Sequence, residues 1–216
     1  MSKKICIAWS GGCDSTSVLK QYLDKTDYEI IAVHVDFKNS NHAVRNEREL
    51  ETIKTLLPVF QEIRPFEFYQ CTIHTPFIKG LDVSIFFLPI YGVAYQKKCS
   101  EIVLSYIKDF HGNILVHKKG IKILNDAINN MATVFYNLNN YKRKSPKFVT
   151  PMDGIFDTKK NYIKYIPELL DTVWWCRNPH DVEPGERGCG YCYSCVHVKE
   201  ALTEIAIESQ EILIEC

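Results

Sequence analysis

The segment Lys4-Ile5-Cys6-Ile7-Ala8-Trp9-Ser10-Gly11-Gly12-Cys13-Asp14-Ser15-Thr16-Ser17-Val18-Leu19 passes from a compact apolar run, through two glycines, into an amphipathic pattern. Lys4–Trp9 predicts a strand entering a turn, and Asp14–Lys25, with Val18, Leu19, Tyr22 and Leu23 at helical spacing, predicts the helix that follows. The glycines let the backbone turn tightly and bring bare N–H groups up to an anion. The helix start adds unpaired N–H groups and the positive end of its dipole. Ser10, Ser15 and Thr16 supply hydroxyls, whereas Asp14 would repel phosphate and suits magnesium binding or orientation of the loop. The plainer alternative is a strand–turn–helix junction with Asp14 or Ser15 as N-cap. No Gly-Lys-Ser/Thr follows, so the loop is not of the Walker A type.

Working outward, Tyr28–Phe37 is mostly apolar and β-branched, as expected of a parallel strand buried on both faces. Ala43–Leu57 predicts a charged amphipathic helix stopped by Pro58, and Phe66–Thr72 a third strand. Phe86–Phe110 reads as one long buried helix, with a break near Pro89 or Gly92, Asn113–His117 as a fourth strand, and Leu124–Leu138 as a helix. Phe148–Thr150 predicts a further strand and Lys159–Leu170 a short helix; beyond Trp174 periodicity is lost among Cys, Gly and Pro. Strands alternating with helices predict an α/β fold, a doubly wound parallel sheet with right-handed crossovers. Ligands in such sheets bind beyond the C-terminal strand ends, which singles out the loops at 10–14, 36–42 and after 117. The expected division is a nucleotide-binding α/β domain over 1–150, with a helical and metal-binding segment over 151–216 packed on it.

The chain has 216 residues, with 26 Lys+Arg against 26 Asp+Glu, so general nucleic-acid binding by phosphate neutralisation is not expected. The one basic run, Tyr141-Lys142-Arg143-Lys144, reads as a solvated loop. The apolar N-terminal run is too short for a signal peptide, and the longest apolar stretch, Ile85 to Tyr95, contains a Pro and a Gly. A cytoplasmic location without membrane attachment is therefore expected, and there nine cysteines are not a disulfide framework.

Four of the nine, Cys176, Cys189, Cys192 and Cys195, form C-x12-C-G-Y-C-Y-S-C. Two gaps of two residues suit tetrahedral thiolate coordination, and Gly188 and Gly190 let the chain wrap round an ion. Zinc is the expected metal, in a closed structural site that contributes folding energy to a segment with little core. An iron–sulfur cluster, a redox Cys-x-x-Cys pair and free thiols are the alternatives. His180 and His197 lie nearby and read as ordinary surface or packing histidines.

The string Ser10-Gly11-Gly12-Cys13-Asp14-Ser15 resembles the SGGxDS signature of PP-loop ATP pyrophosphatases, the adenine nucleotide alpha-hydrolase-like enzymes, at the place in the chain where they carry it. The resemblance implies ATP and Mg2+ as cofactors, cleavage of ATP between the α and β phosphates, and transfer of AMP to a substrate oxygen that a nucleophile then displaces. Together with the C-terminal cysteines it is similar to the 7-cyano-7-deazaguanine synthase family, whose first cysteine gap is somewhat shorter. That likeness implies conversion of 7-carboxy-7-deazaguanine and ammonium to the nitrile, for queuosine-type modification of tRNA or for modification of DNA, by a homodimer. Carried over by motif, the ATP site is Trp9 to Thr16 with Val35 and Asp36; Ser10, Asp14, Ser15 and Lys159 carry catalysis, and Asp126 contacts the substrate. Val35-Asp36-Phe37 with His42, Thr150-Pro151-Met152 and Asp157-Thr158-Lys159 extend the likeness; Lys159 and Lys160 are both candidates for the phosphate-facing lysine.

Two stretches depart from the family. The Pro-Gly-Arg-Asn stretch is replaced by Leu81-Asp82-Val83-Ser84-Ile85-Phe86, without arginine. The acidic substrate segment is replaced by His117 to Asp126, which carries Lys118, Lys119 and Lys122. Two other readings therefore stand beside the synthase. One is a PP-loop adenylating enzyme with a different, more acidic substrate, as in antiviral defence; the other is a zinc-stabilised nucleotide-binding protein without catalysis.

Overall fold

The computed structural model describes residues 2–38, 43–74, 82–105, 126, 146–149, 158–183 and 186–214, with the backbone alone for 43, 82–86 and 210–214. Five parallel strands, β1 (Lys4–Ala8), β2 (Glu29–Lys38), β3 (Glu67–His74), β4 (Glu101–Val103) and β5 (Lys147–Val149), form one sheet in the order β3-β2-β1-β4-β5. The order reverses between β1 and β4, so a crevice opens at their C-terminal ends.

Strand alternation divides the core between the two faces. Ile5, Ile7 and Trp9, with Ile30 and Ala32, pack against α1 (Cys13–Lys25) and α2 (Ala43–Ile63). Cys6, Ala8, Ile31, Val33 and Val35 pack on the other face against Phe87, Ile90, Tyr91 and Ala94 of α3 (Asp82–Gln96). The α/β doubly wound parallel sheet read from the sequence is the observed fold. Two later helices, α4 (Lys159–Tyr165) and α5 (Tyr193–Ile214), join the α1 face: Tyr162, Ile163, Val198 and Ala201 are buried in the same cluster as Ile5 and Trp9.

Four expectations are corrected. Pro58 lies inside α2 instead of ending it; losing an interior amide bond costs about 3 kcal/mol, offset by Leu56 and Phe60, which are buried on either side of it. The helix expected over Phe86–Phe110 stops at Gln96, without a glycine. Lys98 adopts the left-handed conformation (φ 62°), its N–H reaches the Tyr95 carbonyl at 3.1 Å and that of Cys99 reaches Ala94 at 2.8 Å. This is a Schellman termination, and the chain turns at once into β4, a strand not foreseen. Pro167 opens a 3-10 turn over Pro167–Leu169, so α4 is shorter than expected. Beyond Trp174 the chain regains regular structure in α5, a helix of 22 residues whose buried stripe is Cys195, Val198 and Ala201. The strand expected at Asn113–His117, nearly all of the helix at Leu124–Leu138, the basic run at 141–144, and His42, Thr150, Pro151, Met152 and Asp157 lie outside the described residues. No helix among the described residues is long and apolar enough to cross a membrane.

Candidate active site and metal centre

The loop between β1 and α1 is held in shape by its own polar groups. Gly11 has φ +77°, and a Cβ there would lie 2.5 Å from the Glu49 carbonyl of α2. Gly11→Ala is therefore expected to destabilise the fold by about 2 kcal/mol or more in urea unfolding. Gly92→Ala, in α3 with nothing within 4 Å of its added Cβ, should be neutral or slightly stabilising in the same assay. Equal effects would mean that the close approach at Gly11 does not matter.

The Ser15 hydroxyl accepts from the Ser10 N–H at 3.1 Å and donates to the Gly12 carbonyl at 3.2 Å; the Ser10 hydroxyl lies 3.1 Å from that of Ser15 and accepts from the Gly12 N–H. Gly12, not Asp14 or Ser15, is the N-cap, and no side chain caps it. The first helical bond runs from Thr16 N–H to the Gly12 carbonyl, so the N–H groups of Asp14 and Ser15 precede it and remain for a ligand.

A cleft of about 150 Å³ opens over this loop. Its floor is Ser10, Gly12, Cys13, Asp14 and Ser15; Ser105, just past β4, flanks it as the strand order requires. Lys159, the first residue of α4, places Nζ 2.5 Å from Asp14 Oδ1. Thr158 caps α4 by accepting from Asn161, which fixes the start of the helix and so the place of this lysine. Lys160 points the other way, to Glu204 and Glu208 of α5. Beside Cys176 of the thiol cluster, Arg45, Glu49, Trp174, Trp175, Arg177 and Ser194 complete the wall. None of these six was singled out from the sequence, because they come from α2 and the cysteine segment and meet only through the fold.

Other predicted residues stand elsewhere. Trp9 is fully buried against Phe60, Phe66 and Phe68, and its Nε1 donates to Thr16 Oγ1 at 3.1 Å. Both brace the loop from behind, so the Thr16 hydroxyl faces Trp9 and not the cleft. Val35 and Asp36 are buried at the end of β2, where Asp36 pairs with Lys38 at 2.9 Å. Asp126 is exposed. Cys13 is buried, and burial, with the Asp14 carboxylate beside it, pushes its thiol up to about 12; it is a packing residue, not a nucleophile.

The four C-terminal thiols converge, with all Sγ atoms within 4.8 Å of one another. Cys176 and Cys192 are 3.9 Å apart and Cys192 and Cys195 3.4 Å. A tetrahedral ion with S bonds of ~2.3 Å places its ligands ~3.8 Å apart, so the four fit one shared ion. An iron–sulfur cube would hold its thiolates on outward corners, farther apart. Backbone N–H groups of Asn178 and Cys189 donate to Cys176 Sγ, that of Arg177 to Cys192 Sγ and that of Cys192 to Cys189 Sγ. Burial raises the Cys192 thiol, but N–H donors from Arg177 and Cys195 and the neighbouring thiols of Cys195 and Cys189 outweigh it and hold it below the ordinary thiol range. His197 is not a ligand; its ring packs on Tyr193.

Gly188 is where the wrap is tightest: an added Cβ would lie 2.5 Å from Cys195 Sγ and 2.9 Å from Trp175 Nε1. Gly188→Ala is expected to cut the metal retained after purification to well below one per chain. Gly190→Ala meets open space and pays only for φ +78°, about 1 kcal/mol, so it should keep its metal. Elemental analysis of the two variants checks this; full metal in Gly188→Ala would contradict it.

Cleft and thiol cluster are joined by Trp174. It bridges Gly12 as an isolated parallel pair: its N–H donates to the Gly11 carbonyl at 3.3 Å, and its carbonyl accepts from Cys13 N–H at 3.2 Å. Its Nε1 donates to the Cys176 carbonyl at 2.8 Å.

Fold and site define an open parallel α/β protein with a glycine-bearing loop at its topological switch point and a cluster of four cysteines that could hold a metal against it. No protein-family model matches the chain, and no curated protein matches it. Among solved structures the chain is similar to the U34-tRNA thiolase NcsA from Methanococcus maripaludis with its [4Fe-4S] cluster, at 14% identity and a TM-score of 0.44. The likeness covers 77% of this chain and 56% of that one, so this chain spans little more than half the length of the thiolase chain.

Proposed function

We propose that the chain is an adenylating enzyme that binds ATP over residues 10–15 and converts 7-carboxy-7-deazaguanine and ammonium to 7-cyano-7-deazaguanine, releasing AMP and pyrophosphate. The observation that carries the ATP step is the meeting, at the β1/β4 switch point, of the glycine loop, the open N–H groups of α1 and the Asp14–Lys159 pair. The substrate rests on the resemblance of the loop and of the cysteine spacing to the 7-cyano-7-deazaguanine synthases.

In this reading the N–H groups of Asp14 and Ser15 receive phosphate oxygens, as do the hydroxyls of Ser10 and Ser15 in place of their present loop partners. Lys159 moves from Asp14 to the phosphates and stabilises charge as the α–β bond breaks. Asp14, so released, fits Mg2+, whose contribution when bound is to neutralise phosphate charge. A substrate carboxylate oxygen attacks the α phosphorus and pyrophosphate leaves. Ammonia displaces AMP from the acyl carbon to give the amide; a second adenylation, at the amide oxygen, and loss of AMP with two protons gives the nitrile. Cys176, Cys189, Cys192 and Cys195 hold zinc as a closed structural site. Free ammonium is the nitrogen source, and a homodimer the expected assembly.

A second reading keeps the adenylation and changes the substrate. It is favoured by Lys118, Lys119 and Lys122 in place of the family's acidic segment, which suit a more anionic substrate. Mass spectrometry of a reaction with purified protein, ATP, magnesium, ammonium and 7-carboxy-7-deazaguanine tests both. AMP with the 7-cyano product is the expected result. AMP without the nitrile would favour the second reading, and no AMP would contradict the synthase.

A further inference from the structure

Arg177 follows Cys176 of the thiol cluster and lines the same cleft as Lys159. Its backbone N–H donates to Cys192 Sγ, and its Nε donates to Ser194 Oγ at 3.1 Å. Ser194 itself stands between the ligands Cys192 and Cys195, so this arginine is tied to the thiol cluster at both its backbone and its Nε. Among the described residues no carboxylate pairs with this exposed arginine, and its only side-chain bond there is the one from Nε to Ser194. Arg45 differs in this respect, since its Nε is bound to Glu49 at 2.9 Å. A planar fork held at Nε and open at both ends suits bidentate binding of phosphate oxygens.

We propose that Arg177 is a specificity-determining residue for the phosphate tail of the nucleotide, presented by the metal centre and gripping the β and γ phosphates in the cleft it shares with Lys159. The inference rests on the ATP reading above. It gives the cysteine segment a part in nucleotide selection, beyond holding the fold together: the ion shapes the loop, the loop fixes the arginine, and the arginine separates ATP from AMP.

Isothermal titration of metal-loaded wild type, Arg177→Ala and Arg177→Gln with ATP·Mg, AMP and inorganic pyrophosphate tests it. Both variants should bind ATP and pyrophosphate about tenfold or more weaker than wild type, because a charge-assisted pair is lost, while AMP affinity stays within about twofold. Arg177→Lys should lie between, keeping charge without the fork. Metal content near one per chain shows that a variant is folded at this site; if the alanine variant loses metal, the glutamine variant is read in its place. Unchanged ATP binding, or equal losses for ATP and AMP, would overturn the proposal. Failure of wild type to bind ATP would instead remove the nucleotide reading on which it rests.

Discussion

Cys176→Ser is expected to strip the metal, lower the melting temperature by about 10 °C or more and abolish ATP binding. Three features make this effect large. Cys176 is buried and is the one thiolate outside the 189–195 turn, so without it the ion no longer ties that turn to the body of the protein. Its carbonyl holds the Trp174 indole, and Trp174 in turn carries the backbone bonds to Gly11 and Cys13 that brace the loop between β1 and α1. Among the described residues the segment between α4 and α5 has little regular structure besides two 3-10 turns, so a metal bound there would replace much of the core it lacks. Elemental analysis, thermal unfolding and ATP titration on the same sample check the three parts. A metal-free variant that binds ATP with wild-type affinity would show that the loop stands without the thiol cluster.

Lys159→Ala and Asp14→Ala should each slow AMP formation by about 10²–10³-fold, the range for loss of a group that stabilises developing charge. Lys160→Ala should leave it within about twofold. The two lysines are adjacent in sequence, but only Lys159 reaches the loop, while Lys160 pairs with Glu204 and Glu208 on α5. The Lys159 side chain is only 9% exposed, so removing Asp14 also leaves a largely buried cation unpaired, and Asp14→Ala should lose stability as well as rate. A larger rate loss in Lys160→Ala than in Lys159→Ala would contradict the assignment.

Much of this molecule was legible in its sequence, for reasons that differ by element. The apolar runs at β1 and β2 and the glycine pair between β1 and α1 are local signals, and each formed the structure expected of it. The thiol cluster was legible because a Cys-x-x-Cys pair brings its sulfurs together whatever the rest of the fold does. The end of α3 was not, because Lys98 takes a left-handed conformation that glycine usually supplies, and the reward lies in burying Cys99 and pairing β4 with β1. Pro58 misled in the opposite sense, its local penalty being outweighed by Phe60 in the core. The cleft wall was beyond reach for a third reason. Arg45, Glu49, Trp174 and Arg177 carry no motif; α2 and the Trp174 bridge bring them to the loop, and that juxtaposition exists only in three dimensions.

The most direct test is a crystal structure of the protein with magnesium and α,β-methylene-ATP, whose α–β link resists cleavage. The account predicts phosphate oxygens on the N–H groups of Asp14 and Ser15, with Lys159 turned from Asp14 to the phosphates. Nucleotide bound away from the 10–15 loop, or an Asp14–Lys159 pair left intact beside it, would contradict it.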